Sequence, residues 1–237
     1  MINARKGLAW GYLRQRQEFV DKAEIELDRA AYEIENMRGN LADDREEFET
    51  AEIHYRSALQ QAESLNFAEG IAKTCNNLAN VLRSQGKFGE CKVLLQRAYK
   101  LYDQIGKVVA MAGSQMTLAV VNNLEHQFGN ALEEINKAEK LLVTADRMTS
   151  WRQSFCHDVY AEAYLGLKEY ELAKEYAQKV IDSEEIDLQS DGYRIFGEAI
   201  AHLGDTTTGI YSVKNSIALA EADTNRYLIA FGKQWCD

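Results

Sequence analysis

Proline is wholly absent from this chain of 237 residues, where average usage would supply about a dozen. That excludes proline-rich linkers and cis-proline turns, and it suits a chain that is helical nearly throughout. A basic excess is missing too. Lys and Arg number 27 against 37 Asp and Glu, a net charge of −10. Broad contact with a nucleic-acid backbone needs a basic face, so no nucleic-acid partner is expected. There is no apolar run long enough for a membrane span, and residues 1–11 hold no apolar core of signal-peptide length. Cysteine is sparse. Cys75, Cys91, Cys156 and Cys236 show no CxxC spacing, and reduced thiols in the cytoplasm are the expectation.

Catalytic signatures are also lacking. The chain has no GxGxxG, no GxxxxGKS/T and no HExxH. His157 and Asp158 are adjacent, but neighbours on a helix point about 100° apart, so a solvated pair is expected there. The acidic run Asp43, Asp44, Glu46, Glu47, Glu49 and Glu52 lacks the glycine and terminal glutamate of a calcium loop. It reads as a solvated helix start, where carboxylates favour the positive N-terminal end. No cofactor, metal or catalytic activity is expected.

What the sequence does contain is a repeat. Leu78-Ala79 is followed by Leu82, Gly86, Phe88, Cys91, Leu95 and Ala98. The same offsets recur from Leu118-Ala119, Tyr160-Ala161 and Phe196-Gly197, and an earlier unit fits from Arg38-Gly39. The large-small pair and the residue three later share one face of a first helix. Phe48, Phe88, Phe128 or Tyr170 then opens a second helix. Its small residue three on (Ala51, Cys91, Ala131, Ala173, Gly209) lets the two helices approach closely. Gly39, Ala51, Ala79, Ala119, Ala131, Ala161 and Ala173 should therefore be buried at helix crossings, and Cys75 and Cys91 should be core thiols. Each unit is an antiparallel helical hairpin.

At these residues the chain resembles the tetratricopeptide repeat family, over about residues 32–222. The family's usual Trp near the start of the first helix is replaced by Cys75, and its closing Pro is never present. Small residues recur at intervals of 40, 40, 42 and 36, against a common repeat of about 34. That is similar to the long-repeat subtype of kinesin light chain and Leu-Gly-Asn-repeat scaffolds, and to the helical portions of bacterial peptide-sensing regulators and signal-transduction ATPases. The resemblance implies an all-α, right-handed superhelical solenoid of about five antiparallel hairpins, forming a single domain over 1–237. Residues 1–31 would be N-terminal capping helices or a partial repeat, 32–222 the five repeats, and 223–237 a C-terminal capping helix. Within the first segment, Phe19, Ala23, Leu27, Ala30, Ile34, Met37 and Leu41 run at three- and four-residue steps. A long helix over 19–42 is expected, preceded by a short one.

The resemblance also implies a ligand surface. In the family the first helices line a concave groove, at positions one after, three before and six before the small residue. Here these are Asn36 and Asn40 in one unit, and Lys73, Asn76 and Asn80 in the next, with Arg83 one turn on. Both Asn pairs are spaced i, i+4 and so share a helix face. An amide carries donors and an acceptor, which suits it to bracket a peptide group of an extended ligand. Lys73 or Arg83 could take a carboxylate. Further along, the inward set becomes Met116, Val120 and Asn123, then Phe155, Asp158 and Glu162, then Asp191, Arg194 and Glu198. The groove would run from amide and basic, through apolar, to acidic. The implied function is a non-catalytic scaffold binding a protein or peptide partner. The alternative is a regulatory sensor portion of a larger bacterial signalling protein, binding a small effector or an adjoining domain.

Overall fold

In a computed structural model, the structure describes the backbone of residues 2–222 and the side chains of 14–221. Ten helices account for nearly all of it: α1 (Ile2–Asp43), α2 (Phe48–Ser64), α3 (Ala68–Ser84), α4 (Phe88–Gln104), α5 (Val108–Leu124), α6 (Phe128–Thr144), α7 (Ser150–Gly166), α8 (Tyr170–Ile181), α9 (Ile186–His202) and α10 (Thr206–Ala222). No strand occurs among the described residues. The second helices begin at Phe48, Phe88, Phe128 and Tyr170, as the repeat pattern predicts. One expectation fails. No short helix precedes residue 19; α1 runs unbroken from Ile2 to Asp43. Gly7 and Gly11 are the only glycines before residue 19, and an isolated glycine costs about 1 kcal/mol, too little to end a helix without proline. The expected C-terminal capping helix lies outside the described residues.

The absence of proline leaves the question of what ends each helix. From Phe48 to Thr144 the helices are 17 residues long and start every 20 residues. The second residue after α2 to α7 and after α9 takes a left-handed conformation, at Asn66, Gly86, Gly106, His126, Asp146, Lys168 and Gly204, and the third after α1, Glu46, does the same. Two backbone bonds then close most of these ends. At α2 the Asn66 amide donates to Glu63 O (3.0 Å) and the Phe67 amide to Ala62 O (2.9 Å). The same pair recurs after α3, α6, α7 and α9. This is the Schellman closure, which satisfies the last carbonyls of a helix. The intervals of 42 and 36 have local causes. Thr149 caps α7 by accepting from the Arg152 amide (3.3 Å) after a turn two residues longer, and α8 has only 12 residues.

The described residues form two compact units divided between Ile105 and Gly106. In the first, α1 packs on α2, α2 on α3 and α3 on α4. In the second, α5 to α10 pack in sequence. Gly39, Ala51, Ala79, Ala119, Ala131, Ala161 and Ala173 are all buried, as expected. At Gly39 a Cβ would stand 2.5 Å from the Tyr55 ring, so the crossing of α1 and α2 requires glycine. Ile135, Leu142, Val159 and Tyr160 fill the core of the second unit between these small residues. Cys75, Cys91 and Cys156 are buried. Burial pushes the Cys75 thiol up to about 11 and the Cys156 thiol up to about 12, so neither presents a thiolate at neutral pH.

Gly113 is the counter-example to Gly39. It lies in the middle of α5, with nothing within 4 Å of the position a Cβ would take. Gly113→Ala should therefore stabilise the chain by about 0.5–1 kcal/mol through backbone entropy, visible as a melting temperature raised by roughly 1–4 °C in calorimetry.

Candidate functional site

In the second unit the backbone of α5 approaches that of α7, and α7 that of α9, while among the described residues the backbones of α6 and α8, and of α8 and α10, stay apart. The first helices thus stand on the closer, inner side of their stack. In the first unit α1 touches α3. The residues expected to receive a ligand lie on these first helices, but they do not all remain open.

Asn36 is fully buried. Its Oδ1 accepts from Asn77 Nδ2 at 3.4 Å, and the same Asn77 amide donates to Asn40 Oδ1 at 3.3 Å. The Tyr55 hydroxyl also donates to Asn40 Oδ1, at 2.8 Å. Asn36 and Asn40 therefore tie α1 to α2 and α3. Asn36 does not face a ligand, because the neighbouring hairpin covers it. Asn77 and Tyr55 complete this network and were not among the expected residues. Asn76 and Asn80 remain half-buried on α3, and Lys73 is exposed, 4.0 Å from Glu33. Arg83 is half-buried, with an Nε that has no hydrogen-bond partner. Burial lowers its guanidinium from the ordinary arginine value, while burial raises the Asp43 carboxyl nearby.

On α5, Met116 belongs to the core and Val120 packs against it. Asn123 is buried as well; its Nδ2 donates to the Val159 carbonyl of α7 at 3.1 Å. Met116 and Asn123 are therefore packing residues, removed from the open set by the close approach of α5 and α7. Phe155 stacks on Trp151 with ring centroids 5.2 Å apart.

The charged residues come together on α7 and α9. Arg194 bonds to Asp191 (3.3 Å) and Glu198 (3.4 Å) on its own helix, and to Glu162 across on α7. Asp158 joins them electrostatically, and its Oδ1 is buried with no partner. Four carboxylates thus surround one guanidinium. Burial, then the charges of Asp191 and Glu162, hold the Asp158 carboxyl well above the usual carboxylate range. Burial likewise raises Asp191 and Glu198, against the pull of Arg194. Burial would lower the Arg194 guanidinium, but Glu162 and Asp191 outweigh it and raise it. His157 takes no part. Its ring lies 5.8 Å from that of Tyr176, so the adjacent His157 and Asp158 point to different neighbours. Among the described residues no group of His, Cys, Asp and Glu has a metal-holding arrangement, and no helix is long and apolar enough to cross a membrane.

An all-helical stack of antiparallel hairpins with small-residue crossings defines a helical repeat protein. The chain carries tetratricopeptide repeats: that repeat's sequence pattern matches residues 72–105 and 158–187. No curated protein matches the chain by sequence. Among solved structures it is similar to BtubC (BKLC) from P. vanneervenii, with TM-score 0.64, 16% identity, and coverage of 89% of this chain and 92% of that one. It is also similar to the apo form of RapI (TM-score 0.71, 15% identity, 86% and 75%). A third is the Rap conjugation gene regulator of plasmid pLS20 in complex with the Phr* peptide (TM-score 0.70, 11% identity). The chain covers 57% of that regulator, with 86% of its own length aligned. At these identities the likeness concerns the fold.

Proposed function

We propose that this chain is a non-catalytic scaffold that holds a peptide or protein segment against the first helices of its hairpins. The observation that carries this reading is the uncompensated cluster on α7 and α9. Three carboxylates in excess of Arg194 are held partly out of water, and an Asp158 oxygen lacks any partner. Glu162 and Asp191, 37% and 35% exposed, give the cluster an open carboxylate edge suited to a Lys or Arg side chain of a partner. On α3, Lys73, Asn76, Asn80 and Arg83 offer the complementary chemistry, donors for peptide carbonyls and a carboxylate. The regulator bound to the Phr* peptide has the same fold, which supports the peptide reading by analogy. Because this chain covers 57% of that regulator, the second reading is a sensor portion of a larger signalling protein.

A peptide array probed with the chain, followed by titration of the hits, tests the proposal. Hits should carry Lys or Arg. A charge-assisted hydrogen bond contributes about 1.5–3 kcal/mol, so Glu162→Gln, which leaves Arg194 its bonds to Asp191 and Glu198, should weaken them roughly ten- to a hundredfold. The double change Asn76→Ala with Asn80→Ala reports on the α3 face in the same way. Hits held equally by all variants would move the interface off both faces.

A further inference from the structure

Helix α1 has 42 residues and α2 only 17, about 63 Å against about 25 Å at 1.5 Å per residue. Among the described side chains, those of α1 that are buried lie in its last third. Tyr32, Asn36, Gly39 and Ala42 are buried there, on the face toward α2 and α3, while every residue from 14 to 31 is exposed. The opposite face is apolar. Val20, Ala23, Leu27, Ala30, Ile34, Met37 and Leu41 follow in alternating steps of three and four. At 100° per residue they centre about 155° from the buried face. Val20 is 50% exposed, Leu27 72%, Ile34 45%, Met37 57% and Leu41 52%. A soluble helix that buries one face normally presents charge on the other, so this stripe is a seam without a partner.

The seam has a coiled-coil register. Val20, Leu27, Ile34 and Leu41 stand seven apart at one core position, and Ala23, Ala30 and Met37 at the other. From Val20 to Leu41 the apolar pattern spans about three heptads, the shortest run that reads as a coiled coil, and Arg16 ends it on the N-terminal side. About 22 residues of paired helix cover on the order of 550 Å² per partner, near the lower end, about 600 Å², of specific interfaces.

We propose that α1 pairs with α1 of a second copy of this chain as an antiparallel two-helix coil. The orientation follows from side-chain volume. In a parallel pair, like positions meet, so large residues would stack on large ones and Ala23 and Ala30 would face their own copies across voids. In an antiparallel pair each large residue meets the other core position, and layers such as Leu27 against Ala30 have even volume. The seam is thus complementary to itself when reversed, as a two-fold interface demands. Antiparallel pairing also puts the two sets of hairpins at opposite ends of the coil, where they do not collide.

The test uses the full chain and needs no ligand. Light scattering after size exclusion at micromolar concentration should give a dimer for the wild type and a monomer for Leu27→Glu with Ile34→Glu, with unchanged helical circular dichroism for residues beyond the seam's contribution and unchanged melting of the hairpins. Orientation is read in a Cys236→Ser background. Val20→Cys and Met37→Cys, which face each other in the register that sets Leu27 against Ala30, should form an oxidised cross-link when the two variants are mixed, and little when either is alone. A monomeric wild type overturns the proposal, as does a dimer that survives both glutamates. Efficient cross-linking of each cysteine variant with itself overturns the antiparallel arrangement.

Discussion

Arg194→Met is expected to lower the melting temperature by roughly 6–20 °C at pH 7, and by much less near pH 5. Methionine preserves most of the side-chain volume, so the loss is electrostatic. Asp158, Glu162, Asp191 and Glu198 would keep their partial burial and lose the cation they share. Removing one partner from a buried ionic group costs about 3–5 kcal/mol, and each kcal/mol moves the transition of a chain this size by about 2–4 °C. The pH dependence follows from the direction of the shifts. Folded Asp158, Asp191 and Glu198 already hold their protons above the usual carboxylate range, and loss of Arg194 raises them further. A group whose folded pKa is raised favours the fold when protonated and weakens it as pH rises through that value. The deficit should therefore shrink on acidification. A melting curve as low at pH 5 as at pH 7 would mean that packing, not charge, is what Arg194 supplies.

The other large effect should come from the crossing of α9 and α10. A Cβ on Gly197 would lie 2.8 Å from the Gly209 carbonyl oxygen and 2.7 Å from Val213 Cγ2. A Cβ on Gly209 would lie 2.8 Å from the Gly197 carbonyl and 2.9 Å from Ala201 Cβ. The two backbones touch, so no side chain can rotate away to make room. Gly197→Leu should cost about 3 kcal/mol or more, the upper end for overpacking. Hydrogen exchange should localise the damage: amides of α10 lose protection while those of α2 to α4 keep it. Uniform loss across the chain, or none, would contradict the crossing. Ala131→Leu, at a crossing lined by a Cβ already, should cost about 1–3 kcal/mol.

These crossings were legible in the sequence because close helix contact admits few residues, and small residues at fixed offsets have no competing explanation once a turn and an aromatic accompany them. The left-handed turn residues were legible only where glycine marks them, at Gly86 and Gly204. Glu46, His126 and Lys168 adopt the same left-handed backbone without a residue type that announces it. The ligand face was least legible. Asn36 and Asn76 occupy equivalent positions, yet one is fully buried and the other half-buried. The difference lies in Asn77, one residue and about 100° further round α3, which reaches back to Asn36 and Asn40. Counting along a helix fixes which side a residue is on. Whether a neighbouring hairpin covers it depends on side chains that other helices contribute.

The equal helices and equal turns from residue 48 to 144 have a consequence for how such a chain can change in length. Phe48, Phe88 and Phe128 stand at the same point of successive hairpins, each preceded by a left-handed residue two places before it. Removing residues 48–87 would join Glu47 to Phe88 and leave every later residue in an unchanged local frame, with a turn already suited to the helix it now precedes. Insertion of forty residues at the same joint is equivalent. Between residues 145 and 205, where a turn is longer and α8 is short, no such cut preserves the frame. The molecule is therefore modular over one stretch and fixed over another, and gain or loss of whole hairpins should be tolerated on the side of the chain that keeps the twenty-residue beat.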